Sequence, residues 1–358
     1  MKYFNLSIDN MVEDTSGITA YITLKNPITY NLEIIKTDLS GNEITYKAVV
    51  RKINEIKHRN EIKLLEDETL SDEIVIAAGQ TKTIDLNGKT LRLTKNSAKV
   101  FTNNGKLIIK NGTIEQESTE ARGVVTNYGE LVIENVKIKD AANVGGSTIG
   151  SDTGSKLTVK DTEITLTGEG SVAGIFSNGT TDIQNTKITS SQKLAYGVVV
   201  NGDATLENVT SIGYHGGLAI NGGKALVKSG HYEATGDAYG IWVTNNSTTE
   251  VVIEDGTVKS ANAQGLYTAV DDGRQDAGTV GITINGGNFS GKTGALKASF
   301  ADSKYDPWDI AIKGGTFKDT DVTEYIDKTS ILATIDYCKT TDFLNNPHIT
   351  YRTMTSFC

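Results

Sequence analysis

Proline and cysteine are both scarce in this sequence. There are 3 prolines in 358 residues. Because proline cannot donate a backbone hydrogen bond, its scarcity suits a chain built mainly of β-strands. The 2 cysteines, Cys338 and Cys358, both lie near the end of the chain, so the sequence contains no disulfide framework. No apolar run approaches the ~18 residues of a membrane-spanning helix, so we expect no membrane span.

A net positive charge and a recognisable secretion signal are also lacking. The formal net charge is −9, which disfavours nucleic acid as the main partner and favours solubility. The first residues, MKYFNLSIDNMVED, contain no apolar stretch and carry early acidic residues. They do not read as a signal peptide. We therefore expect the protein to act where it is made or to leave by another route.

One eight-residue phrase recurs along most of the chain. Its copies begin at Leu107, and the later ones read as follows: LVIENVKI at 131–138, LTVKDTEI at 157–164, TDIQNTKI at 181–188, ATLENVTS at 204–211, ALVKSGHY at 225–232, VVIEDGTV at 251–258, ITINGGNF at 282–289 and IAIKGGTF at 310–317. Positions one and three are mostly apolar, which predicts a strand with one inward face. A turn residue such as Asn111 follows two positions later, and three residues further on the chain turns inward again at an apolar residue; Ser211 is the exception.

The copies recur about every 25 residues, which lies in the range of solenoid repeats. A second phrase, Gly-apolar-x-x-Asn-Gly, occurs between several of them, as in GIFSNG from Gly174 and GVVVNG from Gly197. Each repeat thus contains two or three short strands and almost no helix. One coil cannot bury its own apolar face, whereas stacked coils form a continuous core. The sequence predicts an all-β parallel β-helix of roughly ten coils, a rod about 45–50 Å long.

Segments outside the repeat predict a domain order. Residues 1–45 alternate apolar and polar residues and predict a small antiparallel β unit for docking. Residues 46–60 place Val49, Val50, Ile53 and Ile56 on one helical stripe, which predicts a helix that caps the open end of the stack. Residues 61–320 form the predicted β-helix. Residues 321–358, which contain no glycine, predict a terminal cap or an oligomerisation segment.

Two phrases resemble those of a known class. DLNGKTL at 85–91 resembles the opening coil, and GGTFKDTDVTEYI at 314–326 the closing coil, of right-handed parallel β-helix proteins of the broad pectate-lyase-like class. The resemblance covers about residues 60–326. Within this class, the sequence most resembles the head-fibre and tail-accessory proteins of phages. It implies a right-handed coil, but the class includes lyases, hydrolases, adhesins, tailspikes and head fibres, so it implies no single activity.

Three motifs in the sequence are candidates for catalytic or ligand sites. GGNFSGKT at 286–293 matches the phosphate-binding loop, but its glycines fall on the turn positions of the repeat, which indicates a coincidence. His215 lies in a Tyr-His-Gly-Gly phrase that only partly resembles that of polygalacturonases, so we interpret it as a surface turn residue. Asp271, Asp272 and Asp276 are weak candidates for calcium, as acids in a loop are usually solvated. We predict no catalytic residues, no resident metal and no cofactor.

Aromatic residues in consecutive middle coils are the candidate binding residues. The candidates are Tyr214, Tyr239, Trp242, Tyr267 and, further on, Trp308. Exposed rings could stack on sugars because each has an apolar face and a polar tip. The alternative is that they fill the core or line an oligomer seam. Trp242 lies between Ile241 and Val243, so alternation places it on the opposite face from both.

The sequence favours a non-enzymatic structural appendage of a virion. It would be a head fibre, decoration or tail-accessory protein, made in the host cytoplasm and assembled as a homo-oligomer, with a trimer favoured. Its N-terminal unit would attach to other virion proteins, and its rod would bind a host surface glycan. The alternatives are a tailspike-like polysaccharide lyase or hydrolase and a bacterial surface adhesin.

Overall fold

A computed structural model gives the fold of the chain. It describes residues 60–94, 96, 99–170, 172–191, 193, 195–270, 278–300 and 308–327, together with strands at 7–14, 17–23, 30–37, 43–50, 339–342 and 346–350. Two compact units are separated at residue 58: Met1–His58 and Arg59–Cys358.

The N-terminal unit contains two antiparallel strand pairs. Ser7–Asp14 pairs with Gly17–Thr23, and Tyr30–Thr37 pairs with Glu43–Val50. The last of these strands corrects the predicted capping helix, because residues 46–50 are extended and bonded to the preceding strand. This stretch fits both the strand and the helix periodicity. Ile44, Tyr46 and Ala48 recur at every second position, as in a strand, whereas Val49 and Val50 also fit a helical stripe. Residues 51–59, the rest of the predicted helix, lie outside the described residues.

The second unit is a parallel β-helix whose coils contribute strands to three sheets, named here A, B and C. Sheet A has ten strands: Ile74–Ile76, Phe101–Asn103, Val125–Asn127, Ser147–Ser151, Ala173–Ser177, Tyr196–Val200, Gly216–Ile220, Ile241–Thr244, Leu266–Val270 and Leu296–Phe300. Each pairs in parallel with the corresponding strand of the next coil.

Along the chain a strand of sheet B is followed by one of sheet C and then by one of sheet A, and a tight turn lies between sheets B and C. Sheet B contains Glu61–Lys63, Thr81–Asp85, Lys156–Lys160, Thr180–Gln184, Ala204–Glu207, Gly223–Val227, Thr249–Ile253, Val280–Ile284 and Trp308–Ile312. Sheet C contains Glu68–Leu70, Thr90–Leu93, Glu163–Leu166, Lys187–Ser190, Val209–Gly213, Gly230–Ala234, Thr257–Ser260, Asn288–Gly291 and Thr316–Lys318. The long strands Lys106–Gln116 and Glu130–Asp140 run through both sheets.

The core is made of apolar columns that run along the axis. Ile109 pairs with Ile133, and Ile133 with Val159, so these three side chains lie one above another, as the repeat predicts. All three are fully buried. The exception in the repeat, Ser211, is also fully buried, and its hydroxyl donates to the carbonyl of Gly217 at 2.6 Å. The predicted parallel β-helix is thus confirmed.

The turn between sheets B and C exists in two forms. In the earlier coils an Asn or Asp adopts a positive φ, for example 62° at Asn111 and 46° at Asn185. Their side chains form a ladder: the Asn185 amide donates to Asp161 at 2.9 Å, and Asn208 donates to Asn185 at 3.0 Å. In the later coils the positive φ moves to the following glycine, such as Gly256 at 137°. In the sequence repeat both forms appear as one turn position, since Asn and Gly both tolerate a positive φ.

The last coil is followed by strands of opposite direction. A 3-10 turn spans Thr323–Tyr325. Asn346–Thr350 then pairs antiparallel with Thr316–Lys318 and with Lys339–Asp342. It therefore occupies the hydrogen-bonding edge that sheet C would otherwise expose at this end. Among the described residues, no helix is long and apolar enough to cross a membrane.

Candidate functional site: an aromatic face on sheet A

The outer surface of sheet A carries a continuous group of rings, which we call the aromatic face. Its members are Phe176, Tyr196, His215, Tyr239, Trp242 and Tyr267. They come from five consecutive coils. Neighbouring strands in a sheet are about 4.8 Å apart, so the group extends along the axis of the rod over roughly 20 Å.

Strand register positions the outward side chains of this face. Phe176 pairs with Val199, Val199 with Ala219, Ala219 with Trp242 and Trp242 with Tyr267. The residues that flank Trp242, Ile241 and Val243, are fully buried in the core, whereas Trp242 is half-buried. Alternation along the strand therefore turns Trp242 outward, as the sequence predicts.

The rings contact one another across the coils. Tyr239 and Tyr267 are stacked, with centroids 4.1 Å apart and planes at 20°. Tyr196 stacks on Trp242 at 6.2 Å, and His215 meets the Tyr196 ring edge-on at 4.8 Å. These separations lie in or near the range in which aromatic pairs attract one another.

Small residues lie beneath the large rings. Val199 and Ala219 belong to the outward row but are almost fully buried, because Phe176 and Trp242 pack against them. The ring of Tyr196 lies over Gly216, where a Cβ would come within 2.6 Å of it. The alternation of large and small residues thus produces a broad apolar surface rather than separate protruding rings.

Two polar atoms of the aromatic face are buried without a hydrogen-bond partner. They are the hydroxyl of Tyr196 and the indole Nε1 of Trp242. An unsatisfied buried donor costs about 1–3 kcal/mol, so such atoms are rare in stable cores and call for an explanation. Burial raises the pKa of Tyr196 and, to a smaller extent, that of Tyr239. Both hydroxyls therefore remain protonated donors over the physiological pH range.

The structure brings together three of the five candidate binding residues, namely Tyr239, Trp242 and Tyr267. Tyr214 lies in the loop before sheet A, against Gly236, and makes no ring contact with the other candidates among the described residues. Trp308 begins a strand of sheet B and therefore belongs to another sheet.

The remaining candidates do not form a site within the described residues. Asp271, Asp272 and Asp276 lie outside them. In the part of the chain that the structure describes, no three His, Cys, Asp or Glu side chains are grouped as metal ligands. The phosphate-loop match at 286–293 runs through the strand Asn288–Gly291 and not into a helix, so its backbone does not form a phosphate cradle.

Sequence reasoning missed Tyr196, His215 and Phe176. Tyr196 lies two residues before Val198, which is fully buried in the core, so strict alternation would turn Tyr196 inward as well. Its ring lies instead with Val199 and Trp242. His215, interpreted as a surface turn residue, contacts Tyr196. Only Phe176 could have been found from the sequence, because it occupies in GIFSNG the position that Trp242 occupies in GIWVTNN.

Comparisons with known proteins add no identification. No protein-family model matches the chain, and no curated protein or solved structure shows significant similarity to it.

Proposed function

We propose that this chain is a non-enzymatic appendage of a phage particle, a head fibre, decoration or tail-accessory protein that binds a host surface glycan through the aromatic face. The observation that carries the glycan part is the aromatic face itself, whose rings contact one another on the outer surface of sheet A over five consecutive coils. The virion setting is supported by the predicted docking unit at residues 1–45, by the rod, and by the resemblance of residues 85–91 and 314–326 to right-handed β-helix proteins, a class that includes phage head fibres.

The chemistry of the aromatic face suits a sugar ligand. Pyranose rings present apolar C–H faces, which stack on aromatic rings, and hydroxyl groups, which accept hydrogen bonds. Nucleic acid bases stack on similar platforms, but those sites lie in positively charged grooves, and this chain has a net charge of −9. The rings also succeed one another along the axis, so a polymer could contact several coils in turn.

The parallel β-helix supports a mechanical role as well. Every coil is bonded to its neighbours through three sheets, and the core columns continue through the stack. Such solenoids are stabilised by contacts between adjacent repeats and present extended surfaces. A rod of this kind can hold a binding surface away from a particle to which the N-terminal unit, residues 1–45, attaches.

Glycan-array binding by the full chain tests the proposal. Trp242→Ala should weaken binding at least about tenfold, which corresponds to a loss of about 1.4 kcal/mol. Tyr128→Ala is the matched control, because Tyr128 is an exposed aromatic residue outside the aromatic face, and it should leave binding unchanged. Equal affinities for both variants and the parent, or no bound glycan at all, would contradict the proposal.

Sedimentation equilibrium separates a glycan surface from an oligomer seam. We propose a homotrimer, and Trp242→Ala should leave its mass unchanged if the aromatic face is free for a glycan. Dissociation of the trimer by Trp242→Ala would instead assign the face to subunit contacts. A monomer at micromolar concentration would count against a virion fibre.

An assay for glycan cleavage tests the enzymatic alternative. We expect no turnover of capsular or pectic polysaccharides. Turnover that is lost in Asp271→Asn or Asp272→Asn would favour a tailspike-like lyase or hydrolase.

A further inference from the structure

Lys99 extends its side chain onto the outer surface of sheet A. The residue precedes the strand Phe101–Asn103, yet its Nζ lies beside Gly150, two strands further along the sheet. A Cβ at Gly150 would lie only 2.5 Å from Nζ. The absence of a side chain at Gly150 therefore leaves room for the ammonium group at this position.

The Lys99 ammonium has a charged neighbour but no hydrogen-bond acceptor among the described residues. Asp140 is that neighbour, and its carboxylate already accepts bonds from the Thr148 hydroxyl at 2.7 Å and the Ala142 amide at 3.0 Å. Lys99 itself is half-buried. Burial lowers the pKa of Lys99 to about 8, and the attraction of Asp140 opposes that shift. Near neutral pH the group thus keeps its charge and its three N–H donors.

This ammonium group lies next to the aromatic face. Gly150 pairs directly with Phe176, the first ring of the outward row that continues to Trp242 and Tyr267. At the other end of the row, Tyr267 pairs with Lys297, which is exposed. The aromatic face is therefore flanked by a lysine at each end of the row, in a chain that is acidic overall.

Building on the proposed function, we infer that the glycan is anionic and that one of its acidic substituents binds the Lys99 ammonium beside Gly150, while its sugar rings stack on the aromatic face. The unpaired ammonium supplies charge complementarity, and the rings supply apolar contact. Because the chain repels polyanions through its net charge, binding of such a glycan requires a local cationic group of this kind. The polymer would then run along the rod axis with its charged substituent at the Phe176 end.

Paired polysaccharides test the inference with the full chain. The probes are hyaluronate, alginate and polysialate, each beside its own carboxyl-reduced, neutral form. At least one acidic probe should bind about tenfold or more tightly than its reduced form. Lys99→Met should remove that preference while preserving the fold. Lys106→Met is the control, because Lys106 is a partly exposed lysine on sheet B that pairs with Glu130 at 2.7 Å.

A second variant keeps the charge and removes its position. Gly150→Ala places a methyl group 2.5 Å from Nζ, so the flexible end of Lys99 must move away, and we expect the preference for the acidic probe to fall several-fold. Trp242→Ala should weaken binding of both forms of the probe.

The outcomes separate the two proposals. Equal binding of acidic and reduced probes, or an unchanged preference in Lys99→Met, would overturn the inference and leave glycan binding in place. Failure of every probe of either kind to bind would overturn the inference, and an additional failure on the glycan array would overturn the proposed function with it.

Discussion

The outer surfaces of sheets B and C differ from that of sheet A, although all three cover the same core. On sheets B and C, acidic and basic side chains face each other on adjacent coils. Lys139 pairs with Glu115 at 3.0 Å, Lys187 with Glu163 at 3.5 Å and Lys259 with Glu233 at 2.9 Å. Each of these pairs occupies matching register positions. On sheet A the corresponding row between Thr102 and Tyr267 contains no charged residue, and the charged Lys297 follows Tyr267.

The difference shows on which surfaces the polar groups find partners within the chain. Several charged groups of sheets B and C find partners on the adjacent coil, as the three ion pairs above do. On sheet A, the Tyr196 hydroxyl and the Trp242 indole Nε1 have no such partner. Exposed charges also discourage association of one rod with another, whereas a large apolar surface marks a site of interaction. The comparison therefore identifies sheet A as the surface on which a partner is expected.

A buried charge should destabilise the core equally beneath the two kinds of surface, and we expect the largest loss of stability from such variants. Ile133 under sheet B and Val198 under sheet A are both fully buried. Ile133→Asp and Val198→Asp should each destabilise the protein by about 4 kcal/mol or more, because each strands a carboxylate in an apolar column. Urea unfolding followed by circular dichroism measures both.

Thr158→Asp is the control for these core variants. Thr158 is half-buried and alternates with the buried Val159 on the same strand of sheet B, so the added carboxylate faces outward. We expect a change within about 1 kcal/mol. A variant Ile133→Asp that unfolds at the parental urea concentration would show that Ile133 does not face the core.

The Asn ladder at the turn between sheets B and C should give an effect of about 2 kcal/mol. Asn185→Ala loses two side-chain hydrogen bonds and also forces alanine to adopt a φ of 46°. Asn185→Gly loses the same bonds but tolerates the φ, so it should cost about 1 kcal/mol. Thermal unfolding of both variants separates the two contributions; equal costs would mean that backbone conformation contributes nothing here.

The inward columns were predictable from sequence because they depend only on local alternation and a fixed interval. Ile109, Ile133 and Val159 occupy the same position in three copies of the repeat, and they pair in the structure. The outward orientation of Trp242 followed from the same rule. The strand at residues 46–50 did not, since its residues fit a helical stripe equally well and pairing with the preceding strand decides between the two.

The candidate site was only partly predictable because it depends on side chains that leave their own position in the repeat. Tyr196 breaks the alternation of its strand and lies over Gly216. Lys99 reaches Gly150, which is 51 positions later in the sequence and two strands away in sheet A. No periodic pattern contains either contact. Both depend on glycines of another coil, whose missing side chains leave space for the incoming group.

Removal of an unsatisfied donor from the aromatic face should stabilise the protein by about 1 kcal/mol. Tyr196→Phe keeps the ring and deletes a buried hydroxyl that has no partner. Tyr232→Phe is the matched variant in the core: Tyr232 is also buried, but its hydroxyl donates to the carbonyl of Ser229 at 3.3 Å, so its removal should destabilise. Opposite signs in urea unfolding are expected. A loss of stability in Tyr196→Phe would contradict the unsatisfied state of its hydroxyl.

The smallest effect is expected from the ion pairs of sheets B and C. Glu163→Gln removes one partner of Lys187, and both side chains are about half exposed, with side-chain exposures of 41% and 54%. Such pairs contribute about 0.5 kcal/mol or less, and salt screens them further. Thermal unfolding at low and high salt should therefore hardly distinguish Glu163→Gln from the parent.

If the charges contribute so little to folding, their arrangement serves the surface instead: it keeps sheets B and C solvated and leaves sheet A as the side of the rod that is open to a partner. A large loss of stability in Glu163→Gln would remove that distinction, because the charged surface would then be part of what holds the coils together.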